Sequence, residues 1–258
     1  MKIRLLPSSF DCDGRARPEQ RLTCYVIDDC VAVDAGSIAL ALTDAQRESV
    51  RDVIVTHPHM DHMATLPIYI DDLFANLREP VRVHSTEEII RLLERDVFNW
   101  TVYPRFADLR NGHGRVMEYA PFRAGEEFRA AHLTIKAVPV NHIVPTVGLV
   151  ISDGRSTVAF SSDTAATDEF WRTLDDTPNL SALFIEASFP NSMGRLAADS
   201  GHLTPAGLAA ELAKLKLVPP DVLAVHLKAS YRETLLAELE ALHIPGLSAM
   251  EAGRDYEW

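Results

Sequence analysis

Basic residues are in short supply: 25 Lys and Arg stand against 37 Asp and Glu, a formal net charge of −12. A polyphosphate backbone is gripped through a stripe of Lys and Arg that displaces its counterions, so nucleic acid is not an expected partner. Cysteine is scarcer still. Cys12, Cys24 and Cys30 are an odd set without metal-ligand spacing, which fits reduced thiols better than a disulfide framework. No run approaches the roughly 18 apolar residues that a membrane-crossing helix needs, and Met1 to Phe10 lack the apolar stretch of a secretory signal. A cytoplasmic protein without a membrane partner is expected. Repeats, low-complexity tracts and linker-like stretches are missing too. With 258 residues, 47% of them hydrophobic, the chain reads as a single domain spanning 1–258.

What is there is a long series of short apolar runs. Strands are predicted at Lys2 to Leu6, Thr23 to Ile27, Val31 to Ala35, Val53 to His57 and Val81 to Ser85. A second series covers Phe128 to Val140, Val147 to Ser152, Thr157 to Ser161, Leu183 to Ala187 and Val222 to His226. Helical spacing falls at Asp44 to Val50, Leu66 to Leu77, Glu87 to Phe98, Asp168 to Leu174, Pro205 to Leu217 and Glu233 to Leu242. Thr43 with Gln46 has the pattern of a capping box, and Thr204 before Pro205 sets a cap ahead of proline at the first helical position. Strand-rich stretches broken by helices in both halves suggest an α/β fold of two packed sheets with helices outside.

The densest chemistry lies in Thr56-His57-Pro58-His59-Met60-Asp61-His62, directly after an apolar run. Four potential metal ligands fall within six residues there. A lone histidine on an apolar face is usually a core residue, but three interleaved with a carboxylate point to two neighbouring metal centres. Imidazole and carboxylate are the donors that zinc, iron and manganese accept. His142, Asp163 and His226 each end a further apolar strand, where loops from different strands can reach one site. Singly, each suits an ordinary turn, Asp especially.

In order, Asp34-Ala35-Gly36, His57-x-His59-x-Asp61-His62, His142, Asp163 and His226 resemble the metallo-β-lactamase superfamily over essentially the whole chain. The resemblance implies a four-layer αββα sandwich with two divalent metal ions at the sheet edges, zinc foremost, manganese or iron being compatible. It implies that His57, His59 and His142 hold one ion, that Asp61, His62 and His226 hold the other, and that Asp163 bridges them. A narrower resemblance is carried by Phe184-Ile185-Glu186-Ala187-Ser188-Phe189-Pro190, Gly201-His202-Leu203-Thr204-Pro205 and His226-Leu227-Lys228. With Phe98-Asn99-Trp100 and Tyr103-Pro104, these are similar to the class II 3′,5′-cyclic-nucleotide phosphodiesterases. Met60 and Thr65 depart from that family's usual Leu and Gly or Ser.

This narrower resemblance implies a binuclear phosphodiesterase that hydrolyses 3′,5′-cyclic nucleotides, such as cyclic AMP, to nucleoside 5′-monophosphates through an ion-activated hydroxide. Two dications set against Asp61, Asp163 and hydroxide leave a positive centre, which suits a small-molecule phosphodiester. The expected catalytic residues are Asp61, Glu186 and His202. His202 resembles the histidine that follows the glutamate motif in phosphodiesterases of the superfamily, including transfer-RNA 3′-processing ribonucleases. It is the candidate acid for the leaving oxygen, with Glu186 holding its ring nitrogen. Lys228, two residues past His226, should face the same way along a strand and bind substrate phosphate; a solvated lysine is the alternative. Phe98, Trp100, Tyr103 and Phe106 either close over a purine or make a core or homodimer contact. The rival readings are RNA 3′ processing, a lactonase or thioesterase, and a non-catalytic metal-binding protein. His84, His113, His132 and His243 fall outside every motif.

Overall fold

Strands buried on both faces account for the unbroken apolar runs. In the computed structural model, which describes residues 1–258, the first half supplies Lys2–Leu5 (β1), Tyr25–Ile27 (β2), Val31–Val33 (β3), Asp52–Ile54 (β4) and Val81–Thr86 (β5). A two-residue ribbon, Arg110–Asn111 (β6) with Gly114–Arg115 (β7), precedes Met117–Phe122 (β8). The second half supplies Glu127–Ala130 (β9), Leu133–Pro139 (β10), Val147–Ser152 (β11), Thr157–Phe160 (β12), Leu180–Glu186 (β13), Asp221–Val225 (β14), Leu247–Ala249 (β15) and Asp255–Glu257 (β16). The helices are Ile38–Ala41 (α1), Asp44–Ser49 (α2), Met60–Met63 (α3), Leu66–Leu73 (α4), Glu87–Asp96 (α5), Glu169–Asp175 (α6), Gly194–Asp199 (α7), Pro205–Leu212 (α8) and Arg232–Glu240 (α9).

Two seven-stranded sheets result, in the orders β16-β1-β2-β3-β4-β5-β8 and β15-β14-β13-β12-β11-β10-β9. In the first, β3, β4, β5 and β8 run parallel. In the second, β12, β13, β14 and β15 do. Three apolar layers make this a four-layer αββα sandwich. Alternate residues of one strand enter different layers, as a period of two requires. On β13, Ala182 and Phe184 face the other sheet while Leu183 and Ile185 pack under helices. On β2, Tyr25 and Ile27 point between the sheets and Val26 points to the helices of the first half.

Both caps form: Thr43 and Gln46 bond reciprocally, and Thr204 Oγ1 accepts from Gly207 N–H. The run Phe128 to Val140 is two strands instead of one, reversing at Ala131 with φ 49°. The expected helices from Leu66 and Pro205 stop at Leu73 and Leu212, each earlier than the apolar spacing suggested. The three-residue edge strands β15 and β16 and the four-residue helices α1 and α3 gave no separate signal, being too short for a period to show; β8 and α7 were not predicted either.

Ahead of the site, β4 and β5 are tied through a buried carboxylate. Asp52 accepts from Arg82 Nε at 2.8 Å, Arg82 Nη2 at 2.9 Å and His84 Nε2 at 2.7 Å. Burial alone would raise the Asp52 pKa, but the Arg82 and His84 bonds outweigh it and hold the carboxyl well below the usual range. A folded pKa below the unfolded value means stability that is present above about pH 4 and lost as pH falls further. Asp52→Ala should therefore cost about 2–3 kcal/mol at pH 7 in urea unfolding, and less as pH approaches 3. An equal cost at every pH would show that the charge is not what binds the strands.

Candidate metal centre and active site

Chemistry collects where strands of both sheets end. Past β4 the chain bends at Thr56, and Val147 N–H of the second sheet donates to Thr56 O at 3.2 Å. The sheets thus meet at the first residue of the ligand motif. His59 then caps the single turn α3, which returns Asp61 and His62 toward the strand ends. From the second sheet come His142 after β10, Asp163 after β12, Glu186 closing β13 and His226 after β14. Asp34, Ser162 and His226 hold left-handed backbone at φ 59°, 54° and 56°. Non-glycine residues reach that region at a cost of about 1–2 kcal/mol each, and all three sit where a strand must bend sharply into the site.

Ligand atoms of His57, His59, His142 and Asp163 lie within 4.8 Å of one another, as do those of Asp61, His62, Asp163 and His226. Asp163 belongs to both groups. His57 Nε2 and His62 Nε2 are wholly buried and have no hydrogen-bond partner, which in a protein interior is costly and calls for an occupant. Cations at these two positions would satisfy both nitrogens.

The opposite ring nitrogens are anchored. His62 Nδ1–H donates to Asp34 Oδ2 at 2.7 Å. Thr56 gives its hydroxyl proton to Asp34 at 3.0 Å, so its oxygen accepts from His57 Nδ1–H at 3.1 Å. His142 Nδ1–H donates to Gly201 O at 2.8 Å, leaving Nε2 facing His59 Nδ1 at 3.2 Å. Each bond fixes a tautomer with a lone pair toward the centre, the arrangement that metal-ligating histidines show. Burial, with the His62 charge, pushes His57 well below the ordinary histidine range. His62 is pushed the other way: burial lowers it, but the Asp163 and Asp34 charges prevail. Burial likewise opposes ionisation of Asp163, yet His226 and His62 hold it well below the carboxylate range.

Beside this centre Glu186 is fully buried and accepts four bonds, from Thr164 N–H at 2.8 Å, Leu203 N–H at 3.1 Å, Ser188 Oγ at 2.7 Å and His202 Nδ1 at 2.8 Å. Burial lowers the His202 pKa, but the Glu186 hydrogen bond and charge more than reverse it, so the net shift is upward. Its ring stacks at 5.5 Å on that of His226, and Nδ1 lies 4.0 Å from Asp163 Oδ2.

Lys228 reaches the site by a different route from strand alternation, because β14 ends at Val225 and His226 turns left-handed. It lines a cleft of about 220 Å³ with Asp61, His226, Arg21 and Gln20, and its Nζ stands 5.3 Å over the Phe189 ring. Arg21 and Gln20 gave no sequence signal, lying in a loop without pattern. A wider cleft of about 690 Å³ opens beyond His142, between Ile143, Phe122, Arg91 and Arg123. The early aromatics divide: Phe98 and Phe106 are buried under the first sheet with Tyr103 packed against them, whereas Trp100 is exposed.

A protein-family profile described as "Beta-lactamase superfamily domain" matches residues 29–227. A probable 3′,5′-cyclic-nucleotide phosphodiesterase of Yersinia pestis is 27% identical, the match covering 81% of this chain and 71% of that protein. Unliganded yeast PDE1 superposes with a TM-score of 0.77 at 16% identity, over 98% of both chains. Zinc-bound PqqB of Methylobacterium extorquens gives 0.74 at 16% identity over the full length of both. At such identities the two solved structures speak for the fold alone.

Gly36 shows how little slack the site has. A Cβ there would stand 2.0 Å from Asp61 O and 2.7 Å from Thr23 N, both backbone atoms. Gly36→Ala must displace the turn that carries Asp61 and His62, so the expected outcome is a loss of about 3 kcal/mol or more together with reduced ion retention by elemental analysis. Gly112→Ala, where a Cβ meets nothing within 4 Å, should stay within about 0.5 kcal/mol. Equal behaviour of the two variants would contradict the close approach.

Proposed function

We propose that this chain, which belongs to the beta-lactamase superfamily, is a binuclear metal-dependent phosphodiesterase that converts 3′,5′-cyclic nucleotides to nucleoside 5′-monophosphates. The observation that carries the reading is the buried Glu186–His202 pair set against Asp163, at the edge of two ligand groups. The Yersinia pestis relative, a probable 3′,5′-cyclic-nucleotide phosphodiesterase, supports the same substrate class.

His57, His59 and His142 would hold one ion and Asp61, His62 and His226 the other, with Asp163 shared. The unpartnered Nε2 atoms of His57 and His62 fit that assignment, and nitrogen with carboxylate donors suits zinc, with manganese or iron acceptable. When bound, such ions supply Lewis acidity and a water acidified toward neutral pH. The protein's own groups do the rest. Lys228 in the cleft beside His226 would bind a phosphate oxygen, and Asp61 in the same cleft would hold its ion on that side of the substrate. Glu186 takes Nδ1–H of His202, so the proton available to substrate is on Nε2. Its raised pKa keeps that proton in place until the ribose 3′ oxygen departs. A departing ribose hydroxyl needs such a proton, whereas the thiolate of a thioester leaves without one.

Elemental analysis after reconstitution with zinc should find two ions per chain, with Asp163→Ala losing both and His57→Ala chiefly the first. A ceiling of one ion would exclude the binuclear reading.

His202→Ala should lose roughly 10²- to 10⁴-fold on cyclic AMP but far less on a nitrophenyl phosphodiester, whose leaving group departs unprotonated, with ion content unchanged. Equal losses on both would mean that His202 positions phosphate instead of delivering a proton. Cleavage of precursor transfer RNA or a lactone, with cyclic nucleotides untouched, would redirect the substrate assignment.

A further inference from the structure

Ser188 lies between the two functional parts of the site and belongs to neither. Its Oγ is 2.7 Å from Glu186 Oε2 and 2.8 Å from His226 Nδ1, with His202 Nδ1 and His226 O both at 3.3 Å. The side chain is fully buried, so no water competes for these contacts.

The single hydroxyl proton decides the direction of every bond. Both oxygens of Glu186 already take N–H donors, Oε1 from Thr164 and His202 and Oε2 from Leu203, so it can only accept; an oxygen–oxygen separation of 2.7 Å to a carboxylate requires the proton to lie between them, and it must come from Ser188. The alternative acceptor, His226 O, is farther away and neutral. With its proton committed to Glu186, Ser188 Oγ has only lone pairs to offer His226 Nδ1, which must then be the protonated nitrogen. His226 Nε2 is left with its lone pair toward Asp61 Oδ2 at 3.1 Å and Asp163 Oδ2 at 3.5 Å, within the second ligand group.

We infer that Ser188 is a positioning residue that relays Glu186 to His226, so that one buried carboxylate orients both the acid histidine, directly, and a ligand of the second ion, through the hydroxyl. This rests on the reading of His226 as an ion ligand, though not on the identity of the substrate. Glu186 thereby serves the centre as well as the leaving group. Removing the hydroxyl leaves His226 Nδ1–H buried without an acceptor and frees the ring to rotate away from Asp61 and Asp163.

Zn²⁺ is the probe. Chelator competition on Ser188→Ala should show the second zinc bound about 10- to 100-fold more weakly, the range typical when the partner of a ligating histidine is removed, with the first zinc within about threefold of the unaltered protein. Equal weakening of both zincs, or of neither, would overturn the relay. A second measurement leaves Ser188 unaltered: in the zinc-loaded protein the His226 Nδ1–H should give a slowly exchanging low-field proton resonance, assigned by its loss in His226→Gln. Rapid exchange of that proton in folded, zinc-loaded protein would equally refute a hydrogen bond to Ser188. Neither readout involves turnover, so a wrong substrate assignment would leave both intact.

Discussion

The carboxylates of the site gather at the edge where the strands of two covered sheets stop. Asp34, Asp163 and Glu186 are all buried, each past or at the end of a strand; Asp34 and Glu186 are satisfied by imidazoles, hydroxyls or amide N–H groups instead of water, and Asp163 is ringed by His57, His62 and His226 at 3.3 to 3.5 Å. Burying three carboxylates is tolerable only because of those partners. The partners in turn are held in single orientations, and that rigidity is what a metal centre requires of its ligands.

Two carboxylates divide the work of orientation. Asp34 serves the first half of the chain, fixing His62 directly and His57 through Thr56. Glu186 serves the second half, fixing His202 directly, with Ser188 at hydrogen-bond distance from both Glu186 and His226. Asp163 lies between these halves, in contact with His57, His62 and His226. The pattern resembles two similar devices facing each other across one shared anion. It matches the sheets, each of which pairs antiparallel strands with a run of parallel ones.

The sequence was most readable where residues close in the chain act together. His57, His59, Asp61 and His62 announce themselves because six residues suffice to state the pattern, and strands buried on both faces leave apolar runs that survive without an alignment. Ser188 was visible only as part of a resemblance, since a serine after a strand has no special look until His226, 38 positions on, is seen 2.8 Å away. Lys228 was placed at the site for a reason that does not hold, because strand alternation ends at Val225; it arrives through the left-handed turn at His226. Phe98 and Phe106 carried two readings, and burial under the first sheet selects the core. The three-residue edge strands stayed hidden because so short a segment has no period to detect.

The closeness of His57, His59, Asp61 and His62 along the chain has a thermodynamic side. Histidines two and three positions apart can chelate an ion in an unfolded chain, whereas His142, Asp163 and His226 meet them only after both sheets have formed. An ion that binds both states stabilises the folded one only by the difference between the two affinities. An ion held by these groups would therefore contribute less to holding the protein together than its affinity for the folded chain would suggest.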